Sequence, residues 1–421
     1  MRPATMGSVT QRLAFLSVLL FVLVLPIENV FVLPTVGSLS RLIGLVMVVS
    51  AIPTFLTRGS FAVRRQSLVV VLLGLFVLWT FASLLWSVEA SSTLNYASTF
   101  TQILLFVIVI WQVSTYPAAV QAIQQAYVIG CTLAGLDGIR NFILDNEAVF
   151  RRFAVSNTDP NDYALALALG IPMAWQLFAT GRGWWRFLNL LFIPVALGMI
   201  VLSASRGGTI AALVALLVVP LGLRTLDRFG RRAVLSLVVA SALAVPVFWN
   251  DIAAVVGSNI ERIGTIGTEI TSGTLNEREV LWAAGMEALS RRPIIGVGGG
   301  AFPAAIEKVS GLRSPAHNTF ISVAVETGTV GFVLFVAILA VAITPHLRAF
   351  NARSMPSIVL FATLLIGIVP LTWEFRKPTW LVIALLLLTR GVLVGRFTAP
   401  GSAAAPVSDG SAQEVAVERR P

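Results

Sequence analysis

The stretch LVVVLLGLFVLWTFASLL, Leu68–Leu85, carries no charge over eighteen residues. A helix of about 20 largely apolar residues spans the hydrocarbon core of a bilayer, and about 17 suffice. The run therefore reads as a membrane helix, and it is one of many. On its N-terminal side lie Leu13–Leu33 and Leu39–Phe55. On its C-terminal side follow Thr99–Val113, Ala119–Leu136, Tyr163–Ala179, Phe187–Leu202, Thr209–Leu223, Ala233–Trp249, Thr319–Thr344, Ser357–Trp373 and Thr379–Val394. The expected fold is all-α: a polytopic integral membrane protein of about twelve transmembrane helices. The first run follows Arg2 and Arg12 as a signal peptide would, but it lacks a small-residue cleavage site, so it is taken as an uncleaved first helix.

Composition supports this class and excludes others. Of 421 residues, 57% are hydrophobic and 12% charged, about half the charged fraction of an ordinary soluble domain. That charge cannot cover the surfaces of two or three soluble domains. The formal net charge is +10, and every basic residue except Lys308 and Lys377 is arginine. In a soluble chain such a balance would suggest nucleic acid. Here it reads as topology, and no nucleic-acid partner is expected. The single cysteine, Cys131, excludes internal disulfides and thiolate clusters, and His317 and His346 are too few for a histidine-rich metal site.

The loops fix the expected orientation. Arg58, Arg64 and Arg65 share one connection, Arg182 and Arg186 another, and Arg224, Arg228, Arg231 and Arg232 a third. Arg348 and Arg353 lie in the next, and Arg390 and Arg396 follow the last span. All fall on one side if both termini are cytoplasmic. Three features then face outward: the connection Asp137–Asp162, the short turn Ser203–Gly208, and a large helical loop over 250–318. Within that loop Asn276 and Glu279 suggest a capping box, opening an amphipathic helix to Leu289 that lies on the membrane or over the site. The expected organisation is a membrane domain over 1–397, with the extracytoplasmic loop 250–318 carrying catalytic elements, and a disordered cytoplasmic tail over 398–421. No repeat relates the two halves.

Arg206, in Ser203-Ala-Ser-Arg-Gly-Gly208, has almost no loop to lift it into water. An arginine at the centre of a membrane helix costs about 2.5–3.5 kcal/mol on insertion scales. It either clamps a phosphate bidentately or snorkels to the headgroups. His317 stands where the long loop re-enters the membrane, and is either a general base or a helix-start residue beside Asn318. Glu326, about 13 Å deeper at 1.5 Å per residue, orients substrate, anchors Arg206, carries a proton, or forms a structural ion pair. His346 reads as a solvated cytoplasmic residue. Of the outer arginines, Arg152 and Arg278 are the ones to test. Asp159-Pro-Asn-Asp162 reads as a turn opening a helix. Gly296-Val-Gly-Gly-Gly-Ala301 lacks the βαβ setting of a dinucleotide loop and reads as a tight loop against the membrane. No Asp-x-Asp pattern is present.

Taken together, these stretches resemble the O-antigen ligase and polymerase superfamily of bacterial envelope proteins. The resemblance rests on Ser205-Arg-Gly207, Arg278-x-x-x-Trp282, Pro293-Ile-Ile-Gly-Val-Gly298, His317-Asn-Thr-Phe320 and Glu326-Thr-Gly328, with Asp159-Pro-Asn161 and Glu374-x-x-Lys377. It spans roughly Arg151 to Trp380. It implies a GT-C-like glycosyltransferase that moves an undecaprenyl-diphosphate-linked glycan en bloc to an acceptor hydroxyl at the outer leaflet. The acceptor is lipid A–core in ligases and another lipid-linked glycan in polymerases of O-antigen or exopolysaccharide repeats. The resemblance further implies no cofactor, metal or nucleotide sugar, and a place in the bacterial inner membrane with the active site facing the periplasm. A glycan flippase and a chain-length regulator are the implied protein partners. Carried over by position, Arg206 and Arg278 bind the diphosphate and His317 assists the acceptor. Arg152, Asn161, Asn318, Glu326 and Lys377 are the implied substrate-binding residues.

The alternative is a secondary transporter or flippase for an anionic solute or lipid-linked glycan, to which Glu326 and Arg206 at membrane depth are equally suited. The absent repeat and the large one-sided outer segment weigh against it.

Overall fold

The structure, a computed structural model, describes residues 9–30, 32–33, 37–57, 67–114, 117–144, 153–247 and 278–393. Arg152, the Asn276 half of the expected capping box, the first part of the 250–318 loop and the 398–421 tail lie outside the described residues.

Each of the twelve apolar runs overlaps a helix among the described residues. The helices are α1 (Val9–Val24), α2 (Leu39–Thr57), α3 (Leu68–Ala82), α4 (Ala90–Val113), α5 (Pro117–Leu144), α6 (Pro160–Thr180), α7 (Arg186–Leu202), α8 (Arg206–Leu216) with the short α9 (Val218–Gly222), and α10 (Arg228–Val247). They continue as α11 (Arg278–Arg291), α12 (Phe302–Ser310), α13 (Thr319–Arg348), α14 (Met355–Ile368) and α15 (Lys377–Leu393). A two-residue antiparallel pair, Val32 with Ser38 and Leu33 with Gly37, joins α1 to α2. Among the described residues seven helical segments are long and apolar enough to cross a membrane, and α7 and α14 are apolar but shorter. The chain is a polytopic all-α membrane protein.

The central helix is α6, buried on every side from Tyr163 to Trp175. A helix apolar all round belongs inside, and its small residues let neighbours come close. A Cβ on Gly208 of α8 would lie 2.3 Å from the Ala164 methyl, the small-residue contact by which membrane helices associate without a hydrophobic drive. Elsewhere in the core, tilted and edge-on rings join four helices. Phe76 of α3 meets Phe100 of α4 at 4.9 Å, and Trp380 of α15 meets Phe100 at 5.8 Å and Phe335 of α13 at 6.4 Å.

Two expectations need correction. The run Thr319–Thr344 reads as one continuous helix, but α13 breaks at Gly328, with φ 65° and ψ −172°. His346, expected in solvent, is buried, with its Nε2 2.8 Å from Thr389 Oγ1. The helix continues past its apolar run through Pro345 and carries the ring against α15. Near one end of the bundle, Arg186 pairs with Asp227 at 3.0 Å, joining two arginine-rich connections.

Candidate active site

The other end gathers the residues that the sequence singles out. It is built from helix starts. Asp159 caps α6 by accepting from Asn161 N at 2.7 Å. Ser205 caps α8 by accepting from Gly208 N at 3.1 Å, and donates to Asn161 Oδ1 at 2.9 Å. Asn318 caps α13 by accepting from Phe320 N and Ile321 N. Arg206 and Arg278 are the first residues of α8 and α11. Each helix start carries about half a positive charge, so several such ends beside two guanidinium groups make a setting for an anion.

Arg278 and His317 come from the loop that the sequence expects to lie outside. The Arg278-x-x-x-Trp282 spacing puts both side chains on one face of α11. The Trp282 indole donates to Ala316 O at 2.8 Å, pinning the residue before His317. Leu281, Ala284 and Ala288 bury the helix's other contacts against α12 and α13. In the fold this helix packs against α12 and α13 and brings Arg278 within electrostatic reach of Arg206 and His317.

His317 adopts φ 47°, a left-handed conformation otherwise found, among the described non-glycine residues, only at Asn157 and Ala204. These three flank the segments that form the site. Such backbone costs on the order of 1–3 kcal/mol each and persists where surrounding structure enforces it. For His317 the enforcement is visible: its N–H donates to Thr372 Oγ1 at 2.9 Å. Beside it, Thr319 Oγ1 donates to Leu371 O at 2.8 Å and accepts from Trp373 N.

Electrostatics bind the group together. Burial depresses the His317 imidazolium and Arg278 lowers it further, with Asp159 and Asp162 opposing in part. The ring is thus held neutral near neutral pH. Burial also lowers the Arg278 guanidinium, and the like charge of Arg206 adds to this. Two close, half-buried arginines repel each other, and a polyanion between them relieves that repulsion.

The other expected residues fall differently. Asn161 belongs to the site through Ser205. Glu326, fully inside the protein, is turned to the chain's own backbone: its carboxylate accepts from Gly300 N at 2.8 Å and Phe302 N at 3.4 Å. There it holds the glycine loop, which is tight, as expected, but folds against the broken α13. Lys377 pairs with Glu28 and donates to Ser40 Oγ at 2.8 Å.

Sequence reasoning missed Asp162 and Arg376. Asp162 accepts from the Trp373 indole at 2.8 Å and from Arg376 Nη2 at 2.7 Å, tying α6 to the turn that holds His317. Asp162 closes the Asp159-Pro-Asn-Asp162 turn and Arg376 lies inside Glu374-x-x-Lys377, but neither motif marks the pairing of the two. Among the described residues no group of three or more His, Cys, Asp or Glu side chains is arranged to hold a metal.

Residues 190–336 match the family model described as O-antigen ligase, a segment that contains Arg206, Arg278, His317, Asn318 and Glu326. Over this segment, about a third of its length, the chain is similar to the O-antigen ligase family. No curated protein matches the chain.

Proposed function

We propose, from the O-antigen ligase domain at residues 190–336, that the chain transfers a glycan en bloc from undecaprenyl diphosphate to an acceptor hydroxyl. Transfer takes place on the periplasmic side of the bacterial inner membrane, with both termini cytoplasmic. The observation that carries this reading is that the starts of α6 and α8 are tied by Ser205 to Asn161, and α6 to the turn beside His317 by Asp162 to Trp373, with Arg278 in electrostatic reach of both Arg206 and His317.

The chemistry follows from the charges. As the glycosidic C–O bond breaks, its electron pair goes to the lipid diphosphate, whose negative charge grows. Arg206 and Arg278 stabilise that charge; removing one preorganised donor of this kind typically costs about 2.7–4 kcal/mol. The acceptor oxygen attacks the anomeric carbon from the opposite face, inverting it, and His317 takes the hydroxyl proton on its neutral ring. Asp159 and Asp162 then stabilise the imidazolium. Asn161 and Asn318 hold the helix starts that aim these groups. Lipid A–core or another lipid-linked glycan is the acceptor, and a flippase that delivers the donor is a partner.

The test is a deletion strain complemented with wild type or Arg206→Ala, with its lipid-linked and surface glycans compared by gel and mass spectrometry. Loss of surface polymer with accumulation of single lipid-linked repeats supports a polymerase; accumulation of long lipid-linked chains supports a ligase. Glycan pools equal to wild type overturn the transferase reading. The transport alternative draws on Glu326 and Arg206 at membrane depth, and for Glu326 the two backbone bonds to its carboxylate favour a holding role over proton carriage.

A further inference from the structure

A second feature lies on the outer wall of the bundle, near the same end as the site. A cavity of about 330 Å³ opens between α1, α2 and α4, walled by Phe21, Leu45, Val48, Ile103 and Phe106. Its floor is the Phe21–Phe106 ring pair, with centroids 4.9 Å apart. Leu45 and Leu105 on its rim are exposed. A neighbouring cavity of about 400 Å³ is lined by Arg41, Asn95, Ser98, Thr99 and Gln102. The two share Arg41, Thr99 and Gln102. One long amphiphilic recess results, polar at one end and apolar along the other.

The polar wall is unusual for its setting. Asn95, Ser98 and Gln102 are exposed and recur at helical spacing down about 10 Å of α4, a helix apolar enough to cross the membrane. At the edge of the hydrocarbon, where the apolar run begins at Thr99, such groups need partners that the waterless core below cannot supply. Arg41, exposed in the first turn of α2, faces the same recess. Lys377, in the apolar cavity's wall, is neutralised by Glu28, whereas no ion pair joins Arg41 to an acidic side chain among the described residues.

We infer that this recess seats an anionic phospholipid of the site-side leaflet. Its phosphate lies on Arg41, its headgroup hydroxyls on Asn95 and Gln102, and one acyl chain between α1, α2 and α4. The charge fits a single phosphate, the amides and hydroxyls fit a glycerol headgroup, and the apolar walls fit a chain. The inference does not depend on the transfer reaction. It also places the lipid one residue from Arg376, through Lys377, so that an occupied recess braces the turn that pairs with Asp162.

The experiment is native mass spectrometry of the delipidated full chain, titrated with phosphatidylglycerol, phosphatidylcholine or undecaprenyl phosphate. Phosphatidylglycerol is expected to be retained over phosphatidylcholine. Arg41→Gln is expected to weaken it about fivefold, the worth of one arginine at an anionic lipid surface. Val48→Trp, which fills the groove, is expected to weaken phosphatidylglycerol as well. If that variant does not fold, Arg41→Gln, an exposed change, decides alone. Equal retention of the two phospholipids, or phosphatidylglycerol binding unmoved by Arg41→Gln, overturns the site. Displacement of phosphatidylglycerol by undecaprenyl phosphate at lower concentration overturns the phospholipid as occupant and gives the recess to a polyprenyl chain.

Discussion

Ser205 donates its hydroxyl proton to Asn161 Oδ1 across 2.9 Å, while the same oxygen accepts the Gly208 N–H at 3.1 Å. One side chain thus caps α8 and ties it to the first turn of α6. Arg206 follows directly, so the bond fixes the register of a membrane arginine against the central helix. Ser205→Ala removes the cap, about 1 kcal/mol, and leaves the Asn161 carbonyl without this donor. Ser205→Ala and Asn161→Ala are each expected to lower transfer by more than their effect on thermal unfolding explains. In a double-mutant cycle they should be non-additive by about 0.5–3 kcal/mol. Strict additivity would separate the two residues.

Arg206 and Arg278 are expected to reject lysine. A guanidinium offers a planar fork to a diphosphate, whereas an ammonium is a point charge. Arg206→Lys and Arg278→Lys should each lower turnover of the lipid-linked donor by about 10²–10³-fold, the range for losing one preorganised donor. Turnover of reconstituted protein at saturating donor measures this. Lysine variants with wild-type rates would reduce the pair to headgroup contacts.

The pH profile reports on His317. Its ordinary pKa is about 6.5, and burial followed by Arg278 lowers it in the folded chain. A base must be neutral, so kcat/KM should hold through pH 7 and fall on an acid limb below 6.5. Asp159→Asn removes a charge that raises the His317 pKa, and should move that limb further to acid. Folding stability shares the sign: the contribution is present above the unfolded pKa and is lost as pH falls through the lower folded one. An acid limb unmoved by Asp159→Asn, or a His317→Ala variant with full turnover, would end the base assignment.

Much of this was legible because membrane helices announce themselves. Leu68–Leu85 needs no partner to be read, since the bilayer dictates both its length and its composition. Arg206 was legible for the same reason: charge at membrane depth is costly and therefore conspicuous. The break at Gly328 was not, because Glu326-Thr-Gly328 sits in an apolar run whose periodicity continues across it. His346 was misread because α13 outlasts its apolar run by a turn. Asp162 and Arg376 escaped because their roles exist only in the pairing of two segments over two hundred residues apart, and nothing local marks either one.

The glycine loop yields the last prediction. Gly296 and Gly328 both have positive φ and press backbone to backbone: a Cβ on Gly328 would sit 2.3 Å from Ile294 O, and one on Gly296 would sit 2.4 Å from Glu326 O. Between them, Val297 N donates to Val325 O at 3.0 Å and Gly298 N to Glu326 O at 2.9 Å, while Thr329 N donates to Pro293 O at 2.9 Å. The broken helix thus finds in the loop the partners that its own turn has lost, as buried backbone requires. Glu326 completes the join through Gly300 N and Phe302 N, fixing α12 against α13 below His317. Gly328→Ala combines an alanine in a positive-φ conformation that is essentially glycine's alone with a backbone clash, and should cost well over the roughly 1–3 kcal/mol of the conformation alone. Glu326→Ala removes both acceptors and should lower the melting temperature and transfer together. Glu326→Gln keeps one carbonyl oxygen to accept an amide, and should restore most of both. If Glu326→Gln instead matched Glu326→Ala in transfer while melting as wild type, the carboxylate would act through its charge, and a proton-carrying role would replace the holding one.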